Sequence, residues 1–141
     1  MTFEKSCGAV VFRNERKDGN LKRYVLMIKH SAGGHYSFPK GHVEAGESEK
    51  MTAEREVKEE TAVKIHINEK FRQPVYYRPR PNVKKEVVYF LAFTRQTEIS
   101  PRPGEVEEVA WIPVEDAKAL LAHDNDRRVL SLAIQHINEK R

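Results

Sequence analysis

Residues 47–61 constrain this chain more than any other segment. They contain neither Gly nor Pro and are rich in Glu, Lys, Arg and Ala, residues that lose little freedom in a helix. Ser48 stands where an N-cap hydroxyl would take up a first-turn amide. The preceding stretch is the opposite. Residues 31–46 hold Gly33, Gly34, Pro39, Gly41 and Gly46, so they must be largely irregular, with room for a short strand near 36–38. A helix is therefore entered from a glycine-rich loop.

Strands surround this unit. Residues 6–12 are an apolar run with β-branched Val10 and Val11. Residues 14–20 are polar, contain Gly19 and read as a hairpin loop. Residues 23–29 include Tyr24, Val25, Leu26, Met27 and Ile28, a continuous apolar run expected of a strand covered on both faces. Residues 63–77 and 86–94 read as strands joined by a turn over 78–82, and 107–112 as a last strand. Pro113 is expected at the first position of a short helix ending near Leu121. Val129, Leu132, Ala133 and Ile137 recur at helical spacing in a terminal helix over 126–137. Strands first and last, with a helix between, predict an α/β fold with a mixed sheet and helices on both faces.

At 141 residues one domain spanning 1–141 is expected. The single cysteine, Cys7, excludes an internal disulfide and reads as a buried strand residue. No signal-peptide pattern and no apolar run of membrane-spanning length is seen, so a cytoplasmic protein without a membrane partner is expected. The net charge is +4, but its distribution is uneven. From Lys70 to Arg95 stand Lys70, Arg72, Arg78, Arg80, Lys84, Lys85 and Arg95 against one acid, Glu86. This suits either steering of a polyanion or a solvated hairpin tip. No basic platform interleaved with aromatic residues points to nucleic acid.

Inside the helix, Glu56, Glu59 and Glu60 fall at i, i+3 and i+4, within an arc of about 100°. Like charges so placed destabilise a helix by a few tenths of a kcal/mol per pair. A hard dication would reverse that sign, and magnesium, which takes a few carboxylates plus phosphate and water oxygens, is the natural candidate. Taken alone, the three residues favour the other reading, a solvated acidic face.

Their frame decides between these readings. Gly41, Glu47, Arg55, Glu56, Val57, Glu59, Glu60 and Val63 occupy eight specified positions over 23 residues, and the segment resembles the Nudix box of the Nudix hydrolase superfamily. One position departs: Ala62 stands where the box has Gly. The resemblance implies a Nudix α/β/α sandwich and hydrolysis of a nucleoside diphosphate linked to another group. It implies magnesium, with manganese as a substitute, on Glu56, Glu59 and Glu60, and an Arg55–Glu47 pair fixing the loop to the helix. It also implies a further carboxylate as base or ligand, with Glu59 and Glu105 as candidates.

The flanks resemble one branch of that superfamily, the asymmetrical diadenosine tetraphosphate hydrolases and diphosphoinositol polyphosphate hydrolases. The run Phe38-Pro39-Lys40-Gly41-His42 is similar to segments there. Lys40 would meet a phosphate as a point charge; His42 would meet phosphate or serve as a structural loop residue. Phe71 to Tyr77 resembles a segment whose last Tyr stacks on adenine, which would be Tyr77. Tyr89 lies in a similar following strand; for both tyrosines strand packing is the other reading. Glu105 stands six residues before Trp111, as a catalytic glutamate does in that branch. Arg78 and Lys84, beside the turn, are candidates for distal phosphates. The resemblance thus implies a small nucleotide or polyphosphate partner, with dinucleoside polyphosphates first. Other diphosphates, or nucleotide sensing without cleavage, are the alternatives, and the chain is expected as a monomer or homodimer.

Overall fold

A computed structural model describes residues 1–30 and 34–139. Gly33, within the irregular stretch expected over 31–46, lies outside the described residues. The elements in order are β1 (Thr2–Lys17), β2 (Asn20–His30), β3 (Tyr36–Ser37), β4 (Lys40–His42), α1 (Glu49–Thr61), β5 (His66–Arg80), β6 (Val83–Phe93), β7 (Val106–Pro113), α2 (Val114–Leu120) and α3 (Asp124–Glu139).

The sheet is mixed. β1 and β6 run parallel from Thr2↔Val83 to Phe12↔Phe93, and the other ladders are antiparallel. Side chains alternate across it with the period of two that a pleated strand imposes. Val10, Phe12, Val25, Met27, Val87, Tyr89 and Leu91 face one way and pack with Ala117, Val129, Leu130 and Ala133 of α2 and α3. Cys7, Ala9, Val11, Leu26, Val88, Phe90 and Ala92 face the other way, against Ala53 and Val57 of α1. These two cores make the α/β/α sandwich. Cys7 is fully buried and free, and burial pushes its thiol up to about 11. Among the described residues no helix is long and apolar enough to cross a membrane.

Several boundaries differ from expectation. The loop expected over 14–20 is ladder up to Lys17↔Asn20. Asp18 and Gly19, both at positive φ, form the whole turn, the two-residue hairpin that Asp-Gly favours. The turn expected over 78–82 likewise shrinks to Pro81 and Asn82 between β5 and β6. In both cases polar residues on the exposed part of a long hairpin read as loop, although the ladder continues to Lys17↔Asn20 in the first and resumes at Arg80↔Val83 in the second. Pro113 closes β7 and occupies the N-cap of α2, one residue before the first helical position.

The helix exit at Ala62 is explicit. Ala62 sits at φ 67°, in the left-handed region, and its amide donates to Lys58 O. This is the geometry for which a glycine is preferred. Neighbours brace it: Gln96 Nε2 donates to the Ala62 carbonyl at 2.8 Å, and Val63 N donates to Thr61 Oγ1 at 3.1 Å. The departure from the box is therefore accommodated with the turn intact.

Candidate functional site

Ser48 caps α1, its hydroxyl accepting from Met51 N at 3.1 Å. Glu47, just before the cap, turns back toward the loop. Its Oε1 accepts from Glu44 N at 3.0 Å and from the Thr52 hydroxyl at 2.9 Å. Arg55 grips the same carboxylate with a fork, Nε to Oε2 at 2.7 Å and Nη2 to Oε1 at 2.9 Å. The guanidinium beside it holds Glu47 down at about 2. Arg55 also donates to Glu56 Oε1 at 2.7 Å, Glu59 Oε1 at 2.9 Å and the His42 carbonyl at 3.0 Å. A guanidinium has five N–H donors, and these contacts engage all of them. Arg55 thus locks the loop, the helix start and two acidic side chains into one unit.

Glu60 occupies a different environment. It is 5% exposed and accepts from Lys40 N at 3.0 Å. Burial, reinforced by the charges of Glu56 and Glu105, pushes its carboxyl up to about 7, against the pull of the Lys40 amide. At Gly41, an added Cβ would lie 2.1 Å from the Glu56 carboxylate. Only a glycine lets Glu56 lie flush against this backbone.

Glu56, Glu59 and Glu60 line one open cavity of about 480 Å³. Lys40, Gly41, His42, Arg55, Lys85 and Glu105 share its wall. Glu105 reaches it from the loop before β7, where His30 Nδ1 donates to its carbonyl at 3.2 Å. Among the described residues, no three His, Cys, Asp or Glu groups already converge as a ready-made metal site; Arg55 Nη1 stands between Glu56 and Glu59. The donors nonetheless suit a hard cation. They are oxygens only, they crowd like charges, and one of them is buried with its ionisation suppressed.

A second cavity, of about 350 Å³, adjoins the first and shares His30 and Lys40 with it. Its wall includes Tyr36, Val75, Tyr77, Val87, Tyr89 and Asp126. Tyr77 is 37% exposed, and Lys85 Nζ lies 5.9 Å from its ring centroid. Tyr89 is 1% exposed. Its ring belongs to the core beside Phe38, and only its hydroxyl end reaches the pocket, donating to Asp126 Oδ1 at 3.4 Å.

Most of the residues singled out in the sequence meet here. His42 contributes its carbonyl to Arg55, while its side chain is exposed at the rim. Arg78 and Lys84 line neither cavity. Arg78 is exposed near the hairpin tip, and Lys84 stands over Tyr76. The alternation of β6 turns Lys85, not Lys84, toward the site. Sequence reading also missed Tyr36, Asp126 and Arg102. Arg102 is flanked by Pro101 and Pro103, a rigid presentation that was a readable signal; Asp126 had none, since a helix-start aspartate is an ordinary cap.

The model of the NUDIX domain matches residues 2–133. The chain belongs to the NUDIX domain family. This NUDIX domain is 30% identical over 120 residues to the bis(5'-nucleosyl)-tetraphosphatase [asymmetrical] of Mus musculus, covering 80% of this chain and 81% of that one. It is also 30% identical over 131 residues to the 8-oxo-(d)GTP phosphatase of Mycolicibacterium smegmatis, covering 89% of this chain and 40% of that protein. The chain spans about two-fifths of the length of that relative and 43% of a second mycobacterial one. Among solved structures, a C. elegans Ap4A hydrolase binary complex aligns over 98% of this chain and 99% of its own, with a TM-score of 0.82 and 26% identity.

Proposed function

We propose that this NUDIX domain hydrolyses phosphoric anhydride bonds in nucleoside diphosphate-linked substrates, with dinucleoside polyphosphates first and diadenosine tetraphosphate, giving ATP and AMP, as the leading case. The observation that carries this is the junction of the two cavities. A pocket with Tyr36 and Tyr77 in its wall opens into a carboxylate-lined one, and Lys40 stands where they meet. A nucleobase on Tyr77 would place its polyphosphate past Lys40 and Lys85 toward α1. Base–aromatic stacking of this kind is worth about 1–3 kcal/mol per base.

Glu56, Glu59 and Glu60 would hold magnesium, or manganese in its place. When bound, such an ion neutralises phosphate charge and makes water a better nucleophile. The chain's own residues do the rest. Arg55 and Glu47 keep the loop and helix in register, so the carboxylates meet the phosphates at a fixed distance. Lys40 and Lys85 orient the phosphates. Glu105 Oε is the better placed of the two candidate bases to take the proton from the attacking water, since Arg55 already holds Glu59. The tetraphosphatase relative at 30% identity supports the substrate class.

The test is a substrate panel with product identification, in magnesium, for the wild-type chain and Glu59→Gln. ATP plus AMP from diadenosine tetraphosphate, lost by at least about 100-fold in Glu59→Gln, is the expected result. Preference for a diphosphoinositol polyphosphate would overturn the substrate assignment. Nucleotide binding without turnover of any member would overturn the enzyme itself.

A further inference from the structure

Arg102 has no place in the scheme above, yet it sits on two of the carboxylates. Its Nη1 donates to Glu59 Oε1 at 3.3 Å and stands 3.5 Å from Glu105 Oε2. Glu59 belongs to α1 and Glu105 to the loop before β7, so one guanidinium spans the two sides of the acidic cavity. The presentation is rigid. Pro101 and Pro103 flank Arg102 and restrict its backbone, and its carbonyl accepts from Glu105 N at 3.2 Å and Val106 N at 3.0 Å. The side chain is different: 41% exposed, it can swing about this fixed base.

Two charge states of the cavity need balancing. Without a cation, Glu56, Glu59, Glu60 and Glu105 crowd together, and Arg55 neutralises only the part it touches. With a divalent ion on the helix glutamates, Glu59 no longer needs Arg102, and a guanidinium at the rim faces incoming phosphate oxygens. A planar fork matches such oxygens better than an ammonium does.

Resting on the proposed function, we infer that Arg102 is an exchangeable counter-ion: it neutralises Glu59 and Glu105 while the cation is away, and transfers to the substrate polyphosphate when the cation takes Glu59. It is therefore a competitor for the metal and a binding residue for the substrate, in succession.

The two roles give opposite signs in one variant. Manganese binding is measured by calorimetry on the full chain without substrate, for wild type, Arg102→Gln and Arg102→Lys. Arg102→Gln should bind manganese about 2- to 5-fold more tightly, the scale of a partly exposed ion pair. Its KM for diadenosine tetraphosphate should rise about 10-fold, with kcat within about 3-fold of wild type. Arg102→Lys, which keeps the charge, should fall between. A thermal melt checks that each variant is folded. Unchanged or weaker manganese binding in folded Arg102→Gln would overturn the counter-ion role, and an unchanged KM would overturn the transfer to substrate. If the wild-type chain itself binds no manganese, the metal reading of the glutamates fails and this inference falls with it; wild-type binding with no effect of Arg102→Gln refutes the inference alone.

Discussion

Glu60→Gln in metal-free protein isolates the energy stored in the acidic cavity. Glu60 has a carboxyl near 7 in the folded chain against an ordinary value of 4.5. The folded state therefore holds a proton that the unfolded state has released, and stability falls as pH rises from about 4.5 to about 7. Each pKa unit corresponds to 1.36 kcal/mol, so ionising Glu60 costs about 3 kcal/mol above pH 7. Gln keeps an oxygen for the Lys40 amide and has nothing to ionise. In EDTA, the variant and wild type should have equal stability near pH 4, and the variant should be about 3 kcal/mol more stable near pH 8. For a chain of this length that is a gap of roughly 10 °C in Tm. Saturating magnesium should shrink or reverse the gap, because a cation favours the ionised form that only wild type can offer. Urea denaturation at both pH values, with and without magnesium, provides the readout. A variant no more stable than wild type near pH 8, or a gap independent of pH, would refute the claim that burial beside Glu56 and Glu105 suppresses this ionisation.

Other substitutions probe the rest of the site. Ala62→Gly should stabilise the chain by about 0.5–1 kcal/mol in urea titration, because it removes a Cβ from a left-handed position; no change would mean that Gln96 and Thr61 already absorb the strain. Tyr77→Ala should raise KM about 10-fold or more with kcat near wild type, whereas Tyr77→Phe should change KM by less than about 2-fold, if ring stacking is the contact; steady-state kinetics decide it. Arg55→Lys loses the fork on Glu47 and should lower activity roughly 10- to 100-fold, as expected for a residue that orients putting-in-place carboxylates, while circular dichroism still reports a folded chain.

How much was legible in the sequence depended on how local the cause was. The helix within residues 47–61 and its cap at Ser48 were legible, because both rest on propensity and on a hydrogen bond three residues away. The continuous apolar run in residues 23–29 leaves that strand no polar face, and such a strand demands cover on both sides. The spacing of Glu56, Glu59 and Glu60 within the frame of Gly41, Glu47 and Arg55 named the family. Ladder lengths were less legible: residues 14–17 are polar, yet they pair with the opposite strand up to Lys17↔Asn20, and backbone bonds leave no mark in side-chain composition.

The tertiary structure decided everything that depends on what lies opposite a residue. Lys84 and Lys85 are equal in sequence, and only the register of Tyr77↔Lys85 across β5 and β6 shows which ammonium faces the cavity. Three glutamates on one helix are equal by periodicity. Burial against Lys40 separates Glu60 from Glu56 and Glu59, and Arg55 Nη1 binds the other two into its network. Arg102 and Asp126 joined the site through chain folding over long separations, which no local pattern encodes. The sequence determined which chemistry is carried on the helix; the fold determined which of its carboxylates is buried, which are paired, and which cations face them, because charge and burial depend on neighbours in space.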